Sequence, residues 1–195
     1  MRKRGRRGTA MIEFALLTPF WVALLLGTLQ VGTRMIVNLQ TIQVARDTAS
    51  MYARGVTFDG AANRQLVARL GQELGLKVSG GNGVVILSTV KFIGPKQCNG
   101  CTNLNKWVFT QRTKFGQTGL RDSSWGDPAP CGLDEKGNVS ADKMLGDTCA
   151  QVKNFNLLGT PSDDAPGIKP GQEAYISEVY VDTAWGAKSY AYAIF

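Results

Sequence analysis

The sequence contains no histidine. That absence removes every mechanism built on an imidazole base: Ser-His-Asp, Cys-His and most catalytic zinc sites. Lysine, tyrosine or carboxylate bases remain, so the absence lowers the expectation of an enzyme. There is also no P-loop, no dinucleotide fingerprint and no G-x-S-x-G. Charge is scarce, at 19% of residues against 44% hydrophobic, which is too apolar for a disordered chain. The net charge of +7 is concentrated at one end, where Arg2, Lys3, Arg4, Arg6 and Arg7 carry most of the excess. The remainder is nearly neutral. A nucleic-acid binder carries its positive charge on the folded surface, so no nucleic-acid partner is expected.

Directly after the basic cluster the chain enters a run without charge, Phe14 to Thr33 (FALLTPFWVALLLGTLQVGT). A helix of about 20 residues spans about 30 Å, the thickness of a bilayer's hydrocarbon core. Its large apolar residues each favour insertion by roughly 0.3–0.6 kcal/mol, partly offset by Pro19, Thr18 and Gln30. A buried helix of a soluble domain is the alternative, but the basic cluster just before the run favours a membrane span. A cleavable secretory signal is a second alternative. It lacks a small-x-small cleavage site followed by a turn, and the next residues continue as helix. Basic residues stay cytoplasmic, so the C-terminal body is exported. Glu13 lies at the edge of the run. It is open to two readings, an acid with a function at membrane depth or a harmless interfacial one.

The segment RRGTAMIEFALLTPFWVALLLG resembles the N-terminus of type IV prepilins, most closely the TadE-like minor pilins (pseudopilins) of the tight-adherence, or type IVc, pilus system. The resemblance rests on a basic leader ending in Gly8, a small residue at Thr9, Glu13 as the fifth residue after Gly8, Phe14 beside it, and Thr18-Pro19 further on. GTAMIEFALLTP matches a TadE-like pattern of the form G-x-A-x-x-E-F-A-L-x-x-P. It is specific over residues 5 to 33, weaker from 34 to 90, and only suggestive at 171 to 181.

The resemblance implies a structural subunit with no cofactor. Prepilin peptidase would cut between Gly8 and Thr9 on the cytoplasmic side. Glycine before the cut offers no side chain to obstruct access. Glu13, Phe14 and Pro19 would serve assembly, with Glu13 meeting the new α-amino group of a neighbouring subunit. Such a pair adds little net stability but sets register. Partners would be the major and minor pilins, the inner-membrane pilus platform and the lipid bilayer. Localisation would be the bacterial inner membrane, single-pass, with a periplasmic C-terminal domain, and the pilus or cell surface after assembly. A pseudopilin of a type II secretion machine is a close variant. An exported adhesin at a pilus tip overlaps with it. A signal-anchored periplasmic thiol redox protein or enzyme is the competing class.

The expected organisation is a leader at 1–8, a long helix at 9–54, and an exported globular domain at 55–195. The helix would be on the order of 65–70 Å long. Met35, Leu39, Ile42, Ala49 and Ala53 form an apolar stripe in its second half, expected to face the globular body rather than a partner. Gly55 is its stop. Asp59 caps a second helix over about Gly60 to Leu74. Strands are expected at GVVILSTVKFIG, at NKWVFTQRTKF (half-exposed), at EAYISEVYVDTAW, and at Ser189 to Ile194. Helices followed by strands indicate an α+β fold, with an antiparallel sheet packed on the upper part of the long helix. The Gly-, Pro- and Asp-rich stretch 116–171 is either an ordered surface insertion or a binding loop.

Four cysteines, Cys98, Cys101, Cys131 and Cys149, lie in the exported part, where oxidation is expected. Three pairings are available, and Cys98–Cys101 with Cys131–Cys149 is preferred. The second would close about 19 residues and contribute roughly 3 kcal/mol. Cys98-Asn-Gly-Cys101 also has redox C-x-x-C spacing, but it precedes a strand rather than a helix, so a structural disulfide is favoured. A zinc site lacks a second close pair. Asp134, Lys136 and Asn138 imitate the start of a calcium loop, but the required glycine and bidentate glutamate are missing. A nonstandard calcium site among Asp122, Asp127, Asp134, Asp142 and Asp147 stays open, with solvated loop acids as the ordinary alternative.

Overall fold

The computed structural model describes residues 6–153, 161, 168–183 and 186–195, with side chains from Met11 onward. Residues 1–5 of the leader, parts of the 116–171 insertion, and Trp185 at the end of the third expected strand lie outside the described residues. The chain divides into two compact units, Met1–Val37 and Asn38–Phe195. The fold is α+β. Helix α1 (Arg6–Ala53) runs through Pro19 and supplies its last turns, from Asn38 on, to the second unit.

Helix α1 ends where the sequence indicated. Gly55 adopts φ +85°, its amide donates to the Tyr52 carbonyl at 3.0 Å, and the Val56 amide donates to the Met51 carbonyl at 3.1 Å. These two bonds are the Schellman pattern, which only a residue at ease with positive φ completes without strain. Helix α2 (Ala61–Leu70) is shorter than expected. It ends at Gly71, where Leu76 packs so closely that an added Cβ would lie 2.1 Å from a Leu76 methyl. A 3-10 turn, Gln72–Leu74, completes the segment. Asp59 is not the cap. Gly60 holds that position with no side-chain hydrogen bond, and the Asp59 carboxylate pairs with the Thr57 hydroxyl instead, which holds its pKa below the usual value.

The sheet consists of β1 (Gly83–Ile93), β2 (Lys106–Gly116), β3 (Glu173–Asp182) and β4 (Lys188–Ile194). Its order is β2-β1-β3-β4, and every neighbouring pair is antiparallel. A bulge between Thr89 and Val90 shifts the β1–β2 register. β1 is buried almost throughout, as its β-branched sequence suggests. β2 is more deeply buried than half-exposed: Trp107, Val108, Phe109, Arg112 and Phe115 are all enclosed. The reason is that both faces of the sheet are covered.

One face receives the end of α1. Tyr52 donates to Gln111 Oε1 at 2.9 Å and accepts from Thr89 Oγ1 at 2.8 Å, and Thr89 and Gln111 are partners across β1 and β2. The helix residues enclosed here are Thr41, Val44, Ala45, Thr48, Ala49 and Tyr52. The expected stripe has the right period but the wrong phase. Ala49 is buried, whereas Met35, Leu39 and Ile42 are exposed. The enclosed face of α1 is made mostly of small side chains, two alanines and two threonines, rather than of its large apolar ones.

The other face is covered by the insertion, which is an ordered element over its described part. Trp125, Cys131, Val139 and Ala150 join a core with Val90, Phe92, Trp107, Phe109 and Ile176. The insertion also sews itself to the edge of β2. The Arg112 amide donates to the Gly137 carbonyl at 2.8 Å, Val139 to Thr110 at 2.9 Å, and Val152 to Trp107 at 2.9 Å. A short helix α3 (Ala141–Gly146) and 3-10 turns at Ala129–Cys131 and Thr148–Ala150 lie along this path.

Candidate functional site

The first candidate is the N-terminal part of α1. From Met11 to Leu29 its large apolar side chains are exposed on every side; Phe14 is 74% and Trp21 61% accessible. A helix apolar all round is stable only in a lipid or protein surrounding. Among the described residues, one helix, Met11–Ala53, is long and apolar enough to cross a membrane. Pro19 removes the amide that would reach the Ala15 carbonyl. One residue earlier, the Thr18 hydroxyl donates to the Phe14 carbonyl at 2.7 Å, and the helix continues without a break. Thr28 and Thr33 donate to carbonyls of their own helix in the same way, at 2.8 and 3.0 Å. Threonines in an apolar span thereby satisfy their hydroxyls internally. Glu13, Phe14 and Pro19 sit in one stretch of this helix, and Gly8 and Thr9 lie within its first turns.

The cysteines form two disulfides, Cys98–Cys101 and Cys131–Cys149, the preferred pairing, and no free thiol remains. Cys98–Cys101 lies in the β1–β2 connection, where the Cys98 amide donates to the Gly94 carbonyl at 3.2 Å and Gly100 takes φ +86°. No helix begins there to depress a thiol pKa, so the redox setting is missing. Cys131–Cys149 joins two 3-10 turns of the insertion.

The calcium-like residues have structural partners. Asp134 accepts from the amides of Lys136 (2.9 Å) and Asn138 (2.7 Å) and from Asn138 Nδ2 (2.8 Å), closing a turn around Gly137. These bonds hold its pKa below the usual carboxylate value. Asp147 accepts from the Cys149 amide and from Lys143 Nζ, both at 3.0 Å, and is lowered for the same reason. Asp122 pairs with Lys114, and Asp127 accepts from the Ala129 amide, each at 3.0 Å. Among the described residues no three His, Cys, Asp or Glu side chains gather to hold a metal.

Residue patterns gave no indication of a buried polar group beneath the insertion. Glu178 of β3 is enclosed and accepts from the Ser123 hydroxyl, from the Ser124 amide at 2.9 Å and from the Tyr190 hydroxyl at 2.7 Å. Burial first, and then the Glu178 charge, pushes the Tyr190 hydroxyl well above its ordinary pKa, against a smaller opposing hydrogen bond from Ser124. Arg112, 7% exposed, stands 4.6 Å over the Phe109 ring and donates to the Gly126 carbonyl at 3.0 Å. Burial lowers its pKa, and the Glu178 charge opposes that shift. This network ties the insertion to the sheet.

Against this geometry, one family model matches: the TadE-like protein family, over residues 8–50. The matched stretch begins at Gly8 and ends in the last turns of α1. It supports a TadE-like, pilin-related protein, which in turn suggests a relation to the tight-adherence pilus. No curated protein and no solved structure matches the chain.

Proposed function

We propose that this chain is a minor pilin of a tight-adherence type IV pilus, matured by prepilin peptidase between Gly8 and Thr9 and acting as a structural subunit in pilus biogenesis. One coincidence carries the reading: the TadE-like match over residues 8–50 falls on a helix whose apolar surface is exposed all round from Met11 to Leu29. Such a surface fits lipid before assembly and neighbouring pilin helices afterwards. The leader would be residues 1–8, the rod 9–54 and the exported domain 55–195. The chain would cross the inner membrane once, with its N-terminus cytoplasmic. Major and minor pilins, the inner-membrane platform and the bilayer would be its partners, and the assembled form would reach the pilus or cell surface.

Within such a bundle Glu13 has a specific task. An unpaired carboxylate in an apolar surrounding favours its neutral form, and a neighbouring α-ammonium favours its charged form. Cleavage supplies that ammonium at Thr9, four residues before Glu13. Glu13 therefore sets register between subunits more than it anchors one in lipid. Mass spectrometry of protein isolated from cells should find a mature chain starting at Thr9. A Glu13→Ala variant should remain in the membrane fraction and fail to co-purify with partner pilins. An intact chain beginning at Met1, or normal co-assembly of the variant, would overturn the proposal.

A further inference from the structure

Five separate segments of the globular unit converge on a polar cleft of about 320 Å³. Tyr52 and the turn Gly55–Thr57 form one wall, Thr110, Gln111 and Asn138 a second, and Glu173 and Tyr175 a third, with Thr89 also lining it. The volume lies at the low end of the roughly 300–1,000 Å³ found for small-molecule sites.

The lining is held in place before any ligand arrives. The Tyr52 hydroxyl is fixed between Thr89 and Gln111, and Gln111 Nε2 donates onward to the Lys136 carbonyl at 2.9 Å. The Tyr52 and Tyr175 rings meet edge to face, 5.2 Å apart at 79°. The Tyr175 hydroxyl donates to Glu173 at 3.3 Å, and Asn138 is held through Nδ2 by Asp134. The side-chain oxygen of Asn138 and the second carboxylate oxygen of Glu173 accept no hydrogen bond among the described residues.

The chemistry of this lining narrows the ligand. Among the described residues no lysine or arginine side chain lines the cleft, which disfavours an anion. Val56 is the one aliphatic side chain among them, which disfavours an apolar ligand. Hydroxyls, carboxamides and one carboxylate beside tyrosine rings offer several donors and acceptors at fixed positions. A ring bearing many hydroxyls and an apolar C–H face matches that combination. We propose that this cleft binds a saccharide, a neutral sugar unit of a glycan. This goes beyond the assembly role, because the cleft lies in the globular unit and uses none of residues 8–37.

The test uses the full chain in sugar-free lipid nanodiscs, titrated to about 50 mM with the methyl glycosides of glucose, galactose, mannose and N-acetylglucosamine. Amide nitrogen–proton spectra report binding. At least one glycoside should give saturable shifts at Thr89, Gln111, Asn138 and Tyr175, with a dissociation constant of about 1–10 mM. Asn138→Ala and Glu173→Gln, at exposed or half-exposed sites, should weaken that binding about 5- to 10-fold while the rest of the spectrum stays in place. Three results would overturn the proposal: no shift with any of the glycosides, shifts that both variants leave unchanged, or shifts at these amides with methylammonium chloride alone.

Discussion

Asn103 accepts a hydrogen bond from Gln151 Nε2 at 2.8 Å, and its own side-chain nitrogen donates to the carbonyls of Met144 (2.8 Å) and Asp147 (2.7 Å). The residue is 0% exposed. One carboxamide thus joins the β1–β2 connection, which carries the Cys98–Cys101 disulfide, to the segment that carries Cys149. A buried amide in such a setting is costly to remove, since its partners lose their hydrogen bonds without gaining water.

Asn103→Ala should therefore destabilise the protein by about 2–4 kcal/mol. Asn103→Asp should be at least as severe, because a carboxylate cannot donate to the two carbonyls it would face. Denaturant titration of the wild type and both variants measures the difference. A loss below about 1 kcal/mol in both would mean that the three bonds contribute little.

The two sides of α1 should respond in opposite ways. Ala49→Leu places a large side chain where the helix meets the sheet and should cost about 1–3 kcal/mol. Leu39→Ala, at a residue 61% exposed, should change stability by less than about 0.5 kcal/mol. Thermal unfolding of the two variants separates the faces directly, and the reverse order would mean the helix packs on its larger side chains.

Alkaline pH should weaken the fold through Tyr52. Burial is the main cause that pushes its hydroxyl up to about 12, against a smaller opposing hydrogen bond from Thr89. Below about pH 10 the phenol is protonated in both the folded and the unfolded chain, and its contribution is complete. As pH rises further the unfolded chain ionises first, so stability falls until the folded phenol also ionises near 12. The full loss is on the order of 2–3 kcal/mol. Tyr190 is shifted in the same direction and adds to the trend. Unfolding midpoints measured from pH 8 to 11.5 should fall above about pH 10. Tyr52→Phe should start less stable at pH 8, having lost two hydrogen bonds, and then fall less steeply.

The parts of this architecture that sequence makes legible are those governed by local chemistry. The β-branched run from Gly83 to Ile93 is a strand on its own terms, and Gly55 ends α1 because the chain there needs positive φ. The phase of the α1 stripe was illegible for a physical reason. Hydropathy ranks Met35 and Leu39 above Thr41 and Thr48, whereas packing against a sheet ranks them by size. Nothing local in the strands marks Arg112 and Glu178 as buried. Only the insertion, folding back over the sheet from far along the chain, buries them. The Asn103 contacts span 41 to 48 residues, beyond the reach of any local pattern. The N-terminal candidate residues form a contiguous pattern, whereas the polar cleft draws on five separate segments.

The short side chains of α1 have a mechanical consequence. Ala45 and Ala49 let the helix lie against the sheet, and Tyr52 bolts its last turn to two strands at once. A pull on the end of the helix is then resisted by hydrogen bonds to two neighbouring strands rather than to one.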